Sequence, residues 1–108
     1  MEAAVLSFKE EFIKPVHSWC VERVQFVRAC FVPLPQGAHL KVFVVSKSQR
    51  FNFSLAPDVA ALELQLSDDG WSVNVLQVPS MSADDLHTLF DPSDSIQVYD
   101  AQLEAAPG

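Results

Sequence analysis

Apolar residues recur at helical spacing from the start of the chain. Val5, Phe8, Phe12 and Ile13 fall on one side and Lys9, Glu10, Glu11 and Lys14 on the other, which predicts an amphipathic helix over residues 2–14. Pro15 lacks a backbone donor and crowds the preceding turn, so it kinks or ends that helix. Beyond it Val16, Trp19, Cys20 and Arg23 share a stripe, and a second helical segment is expected to about Val21. From Arg23 the pattern turns to β-branched and aromatic residues: Val24, Phe26 and Val27, then Cys30, Phe31 and Val32, closed by the breaker Pro33-Leu34-Pro35-Gln36-Gly37. That is a strand and a turn. Residues 39–46 repeat the signal, with Leu40, Val42 and Val44 on one face and Lys41, Phe43 and Val45 on the other, so the two runs are expected to pair as an antiparallel hairpin. After a polar turn over residues 47–50, Phe51, Phe53 and Leu55 alternate with Asn52 and Ser54. This alternation predicts a third, half-buried strand that completes a meander.

Helical spacing returns at Ala56-Pro57-Asp58, with proline early and an acid in the first turn where the helix dipole favours an anion. Val59, Leu62 and Leu66 form the inward stripe, and Asp68-Asp69-Gly70 ends it. Trp71 to Val78 alternates as a fourth strand and stops at Pro79. Ser82 with Asp85 three residues on forms a capping box, and Met81 can staple onto Leu86. Leu86, Leu89 and Phe90 then face inward, Asp91-Pro92 ends the helix, and Ile96 to Tyr99 is a fifth short strand.

The order is therefore helix, three strands, helix, strand, helix, strand. It predicts an α/β domain, with α+β as the neighbouring class: an N-terminal helix, a three-stranded antiparallel meander, then helix-strand-helix-strand on a mixed five-stranded sheet. Right-handed crossovers are expected to put both later helices on one face and leave the other to the N-terminal helix, giving three layers. With 108 residues, one core is the economical solution, so residues 1–108 are read as a single domain with 1–6 and 101–108 as disordered tails.

Composition sharpens this outline chiefly through charge. The chain carries seven Lys and Arg against fourteen Asp and Glu, a formal net charge of −7. All seven basic residues lie at or before Arg50, and ten of the acids follow it. A dipolar chain of this kind can dock on a partner of opposite surface charge or pair head to tail with itself. The net negative charge disfavours nucleic acid, which is held through Lys and Arg on phosphates. No apolar run approaches the roughly 20 residues that span a bilayer, so no membrane partner is expected. Lys9, Glu10, Glu11 and Lys14 interrupt any secretion-signal pattern, and the chain reads as cytoplasmic.

The candidate chemistry is thin. His17 and Cys20 are three apart and would share a helix face, the arrangement that creates a nucleophilic thiolate, although a packed face beside Val16 and Trp19 explains them as well. These two are the candidate catalytic residues. His17, Cys20, Cys30 and His39 lack the short paired spacing of a zinc site, and the thiols are expected to be unbridged, buried and inert. The acids Asp68, Asp69, Asp84, Asp85, Asp91 and Asp94 sit in helix starts and turns, which accounts for them without a metal. The three isolated glycines form no phosphate loop. No metal or other cofactor is expected. Lys41, Lys47 and Arg50, with Arg23 and Arg28, could gather near the first hairpin as an anion-binding cluster.

The expectation is a non-catalytic protein–protein interaction or regulatory module that self-associates as a homodimer, with Phe43, Lys41, Arg50 and Trp71 as candidate interface residues. The alternative is a small enzyme or an anion- or nucleotide-binding domain. Its pocket would lie at the carboxyl ends of the parallel strands, with Ser80 and Ser82 as candidate ligand groups.

Overall fold

The structure is a computed structural model, and residues 9–33, 39–91 and 93–101 are described. The first residues of the expected N-terminal helix, with Val5 and Phe8, lie outside them. Lys9–Ile13 make one π-helical turn that leads directly into α1, Lys14–Glu22. Pro15 falls in the first turn of α1, where its missing N–H has no intrahelical partner to lose, and the wider turn before it gives its ring room. Val16, Trp19 and Cys20 are the buried stripe of α1.

Four strands follow: β1, Val27–Pro33; β2, Leu40–Ser46; β3, Val73–Val78; and β4, Ser95–Asp100. Helix α2, Ala56–Asp68, joins β2 to β3, and helix α3, Ala83–Leu89, joins β3 to β4. The sheet order is β3-β2-β1-β4. β1 is antiparallel to β2 and to β4, and β2 is parallel to β3. The domain is thus a small α+β unit on a mixed sheet, with four strands where the sequence pattern predicts five.

The missing strand is the run 51–55. Asn52 takes it out of the ladder, because its side-chain oxygen accepts the backbone N–H groups of Ser54 at 2.9 Å and Leu55 at 3.1 Å. Its own N–H and carbonyl are matched by the side-chain amide of Gln77. With those backbone groups satisfied locally, the segment turns into α2 instead of pairing. Leu55 anchors it in the core, while Phe51 and Phe53 stay outside, their rings edge to face at 4.9 Å.

The faces also differ from the expected arrangement. α1 and α2 share one face of the sheet, packing Val16, Trp19, Cys20, Val59, Leu62 and Leu66 onto the strand side chains of Cys30, Val42, Val44 and Val75. Among the described residues α3 is the one helix on the other face, with Leu86 and Phe90 on Ala29, Phe31 and Val45. The chain moves outward from β2 to β3 and then returns across β2 and β1 to reach β4. Two crossovers of the same hand that travel in opposite directions must use opposite faces. The prediction of a shared face for both later helices held only for a chain that keeps moving one way.

Gly70 closes α2 with a positive φ of 100°. Its N–H reaches the carbonyl of Ser67 and that of Trp71 reaches Leu66, a Schellman arrangement that satisfies the last carbonyls and needs a residue without Cβ strain. Trp71 then stacks on Phe12, ring centroids 5.3 Å apart. At the other end of the chain Ala101 is buried, so the packed domain extends one residue into the expected tail. Residues 102–108 lie outside the described residues, as do 1–6.

Candidate partner-binding face

α3 spans only seven residues, about 10 Å of helix at the usual rise, and it cannot cover a four-stranded sheet. It sits over β1 and leaves hollows on both flanks. The larger, toward β2 and β3, is an open trough of about 800 Å³ lined by Pro33, Lys41, Phe43, Val78, Leu89, Phe90, Asp91 and Asp94 among others. A smaller hollow of about 260 Å³ lies toward β4, among Phe31, His87, Phe90, Ser95 and Gln97.

Strand alternation builds the floor of the trough. Leu40, Val42 and Val44 point into the α1–α2 core, so Lys41, Phe43 and Val45 face α3. Phe43 tilts against Phe90 at 5.1 Å, and Phe90 stacks on Phe31 at 4.6 Å, a row of rings that fixes the wall next to α3. Leu76, beside Phe43 in the β2–β3 register, is 44% exposed, and Leu89 at the end of α3 is 60% exposed. Lys41 is exposed on one side. Asp91 and Asp94, in the turn that follows α3, line the same trough. The carboxylate of Asp91 accepts the backbone N–H of Ser93 at 2.8 Å and its hydroxyl at 2.7 Å. These two hydrogen bonds hold the carboxyl below the usual aspartate range.

Arg28 holds the entry to α3 in place. A register shift between Val27 and Ala29 marks a bulge in β1, and bulges re-aim the side chain they carry. Arg28 thereby points to the α3 side, donating to the hydroxyl of Ser80 at 3.0 Å and to the carbonyl of Met81. Ser82 then caps α3, accepting the N–H of Asp85 at 3.1 Å. Ser80 and Ser82, the candidate anion ligands, are both engaged within the fold, and the seven-residue helix behind them already carries Asp84 and Asp85 in its first turn.

The other candidates disperse. Cys20 and Cys30 are both 0% exposed in the core under α1, while the ring of His17 lies edge-on to Tyr99 at 6.0 Å. A nucleophile so placed has no route to a substrate in this conformation. His39 is exposed and bonded to Ser72 and Asn74. Among the described residues no three His, Cys, Asp or Glu side chains converge as metal ligands would. Trp71 is half-buried against the α1 core, and Arg50 is exposed in the turn after β2. Arg23 pairs with Asp58 at 3.3 Å and lies over the Trp19 ring at 4.6 Å, so it joins no anion-binding cluster with Lys41. Of the four candidate interface residues, the trough brings together Phe43 and Lys41.

Leu89, Val78, Asp91 and Asp94 were not among the candidate interface residues. The signal for them was the shortness of the apolar stripe after Ser82, which leaves a helix too small to cover its sheet. No helix among the described residues is long and apolar enough to cross a membrane. No family model matches this chain, and neither does any curated protein or solved structure.

Proposed function

We propose that this chain is a non-catalytic protein-binding module that self-associates through the trough beside α3. The observation that carries the reading is the trough itself. Its apolar floor of Phe43, Val78 and Leu89 is flanked by Lys41 on one side and by Asp91 and Asp94 near the end of α3. Apolar centres with charged rims are the usual anatomy of protein interfaces. The opposed charges favour a second copy as partner, since a two-fold axis over the trough would set Lys41 of one copy opposite Asp91 and Asp94 of the other, and an isologous contact uses one patch twice. The apolar floor would supply affinity, and the charges orientation and encounter rate.

Sedimentation velocity over a concentration series tests this. A concentration-dependent dimer is expected, weakened by Phe43→Glu and by Leu89→Asp, each of which puts a charge into the apolar floor. Raising salt should slow association, because rim charges are screened. A strict monomer at every concentration would remove self-association from the reading, and a dimer indifferent to both substitutions would move the interface elsewhere.

A further inference from the structure

A second surface feature stands apart from the trough, where the chain leaves β2. Two phenyl rings are held clear of the protein there. Phe53 is 81% exposed, the most exposed large hydrophobic side chain among the described residues, and Phe51 is 50% exposed. Their rings meet edge to face at 4.9 Å, and neither lines the trough. Val24 and Phe26, in the turn between α1 and β1, are exposed as well. The N–H of Lys47 donates to the carbonyl of Phe26 at 2.9 Å, which fastens that turn to the end of β2.

The loop under the rings is tied down by its own hydrogen bonds. Asn52 and Gln77 close its middle. Before them, the N–H of Arg50 donates to the hydroxyl of Ser48 at 3.1 Å, and the carbonyl of Ser48 accepts the hydroxyl of Ser46 at 3.0 Å and the N–H of Ser80 at 2.8 Å. A loop ordered in this way loses little freedom when its rings are covered. Backbone groups paired within the protein also tolerate an apolar phase that offers no hydrogen bonds in return, as lipid does. Lys47 and Arg50 are exposed on the same loop, and among the described residues neither is taken up by an ion pair. Glu22 and Asp58 are both paired with Arg23, and Asp84 and Asp85 open α3 on the other face of the sheet. The loop is therefore locally cationic in a chain of net charge −7, and charges beyond about 8 Å are largely screened at physiological salt.

We propose that this loop anchors the protein at the surface of an anionic membrane. Phe51 and Phe53 enter the interfacial layer, and Lys47 and Arg50 meet the phosphate and carboxylate groups of the lipid heads. No helix among the described residues crosses a bilayer, but attachment at the surface needs only a few inserted side chains and a matching charge. The lipid covers rings that the fold leaves in water, and the charges select the anionic surface.

The test is sedimentation of the whole chain with vesicles of phosphatidylcholine alone and of equal parts phosphatidylcholine and phosphatidylserine. Binding to the mixed vesicles is expected, weaker on phosphatidylcholine and reduced by salt. Phe51→Ser with Phe53→Ser, checked for fold by circular dichroism, should lower the partition coefficient about tenfold or more, because two rings no longer leave water. Lys47→Gln with Arg50→Gln should lower it several-fold on the mixed vesicles alone. Phe53→Trp should keep binding, with its emission quenched by bromine on the lipid chains. No sedimentation with mixed vesicles, binding indifferent to the paired Phe substitutions, or equal binding to both vesicle types would each overturn the proposal. So would loss of self-association on the paired Phe substitutions without any vesicle binding, which would give the rings to a protein contact. The trough shares none of these residues, so a strict monomer that still binds mixed vesicles would sink the dimer and leave the anchor in place.

Discussion

Asp91 illustrates how a single turn sets the charge of the trough. The N–H and hydroxyl of Ser93 both donate to its carboxylate and stabilise the ionised form, which lowers the carboxyl below its ordinary range. A group depressed in this way favours the folded turn while ionised. That contribution is present above the carboxyl's unfolded value and is lost as pH falls through the folded one. Asp91 therefore keeps its charge to lower pH than an ordinary aspartate. In a carbon-detected NMR titration Asp91 should have a lower midpoint than an exposed aspartate, and Ser93→Ala should move it part of the way back, since the backbone donor remains. A midpoint at the ordinary value in the unaltered protein would mean that the turn does not close. The pattern Asp-Pro-Ser marks a turn in the sequence, but nothing in it says that the carboxylate will line the same trough as Lys41. That depends on where β4 begins, which is a tertiary fact.

At the scale of elements, the parts set by local chemistry were legible and the parts set by competition for backbone groups were not. α2 has its apolar stripe, an acid at the start and Gly70 at the end, and it forms as read, over Ala56–Asp68. Ser82 caps α3 as its pairing with Asp85 predicts. Phe43 and Lys41 share a face because alternation along β2 admits no other outcome. The run Phe51-Asn52-Phe53 alternates equally well, yet Asn52 and Gln77 satisfy its amides before a neighbouring strand can. Periodicity records which side chains could be buried and carries no information about that contest. The bulge at Arg28 was hidden for a related reason, as its partners Ser80 and Met81 lie more than fifty residues away. The cap gives a direct test. Ser82→Ala should lower stability by about 1 kcal/mol, the usual effect of losing one N-terminal acceptor. A change within a few tenths, measured by urea unfolding, would show that Arg28 alone fixes the start of α3.

Across the whole molecule, the two faces of the sheet are held very unequally. On one, α1 and α2 bury a continuous core that includes Phe12, Val42, Leu62 and Leu66; on the other, α3 contributes Leu86 and is followed by Phe90. Among the described residues, the same reversal of the chain that sends α2 and α3 to opposite faces leaves the α3 face thinly covered, and the trough is its result. Charge follows a different logic at this scale. The basic first half and acidic second half read from the sequence are partly joined in space, in the pairing of Arg23 with Asp58, and Lys41 lines the same trough as Asp91 and Asp94. Stability should divide along the same line, because regions with little buried apolar contact open at lower free energy than the molecule unfolds. Native-state hydrogen exchange should therefore find the amides of α3 exchanging through a local opening, while those of Val42 to Val45 in β2 exchange only by global unfolding. Leu62→Ala, which empties a site 1% exposed in the larger core, should lower global stability by roughly 2–5 kcal/mol. It should reduce protection in β2 by that amount and leave the local opening of α3 unchanged. Equal protection of α3 and β2 in the unaltered protein would show that α3 is docked as firmly as the other two helices, and would remove the argument that its face is the one left open for a partner.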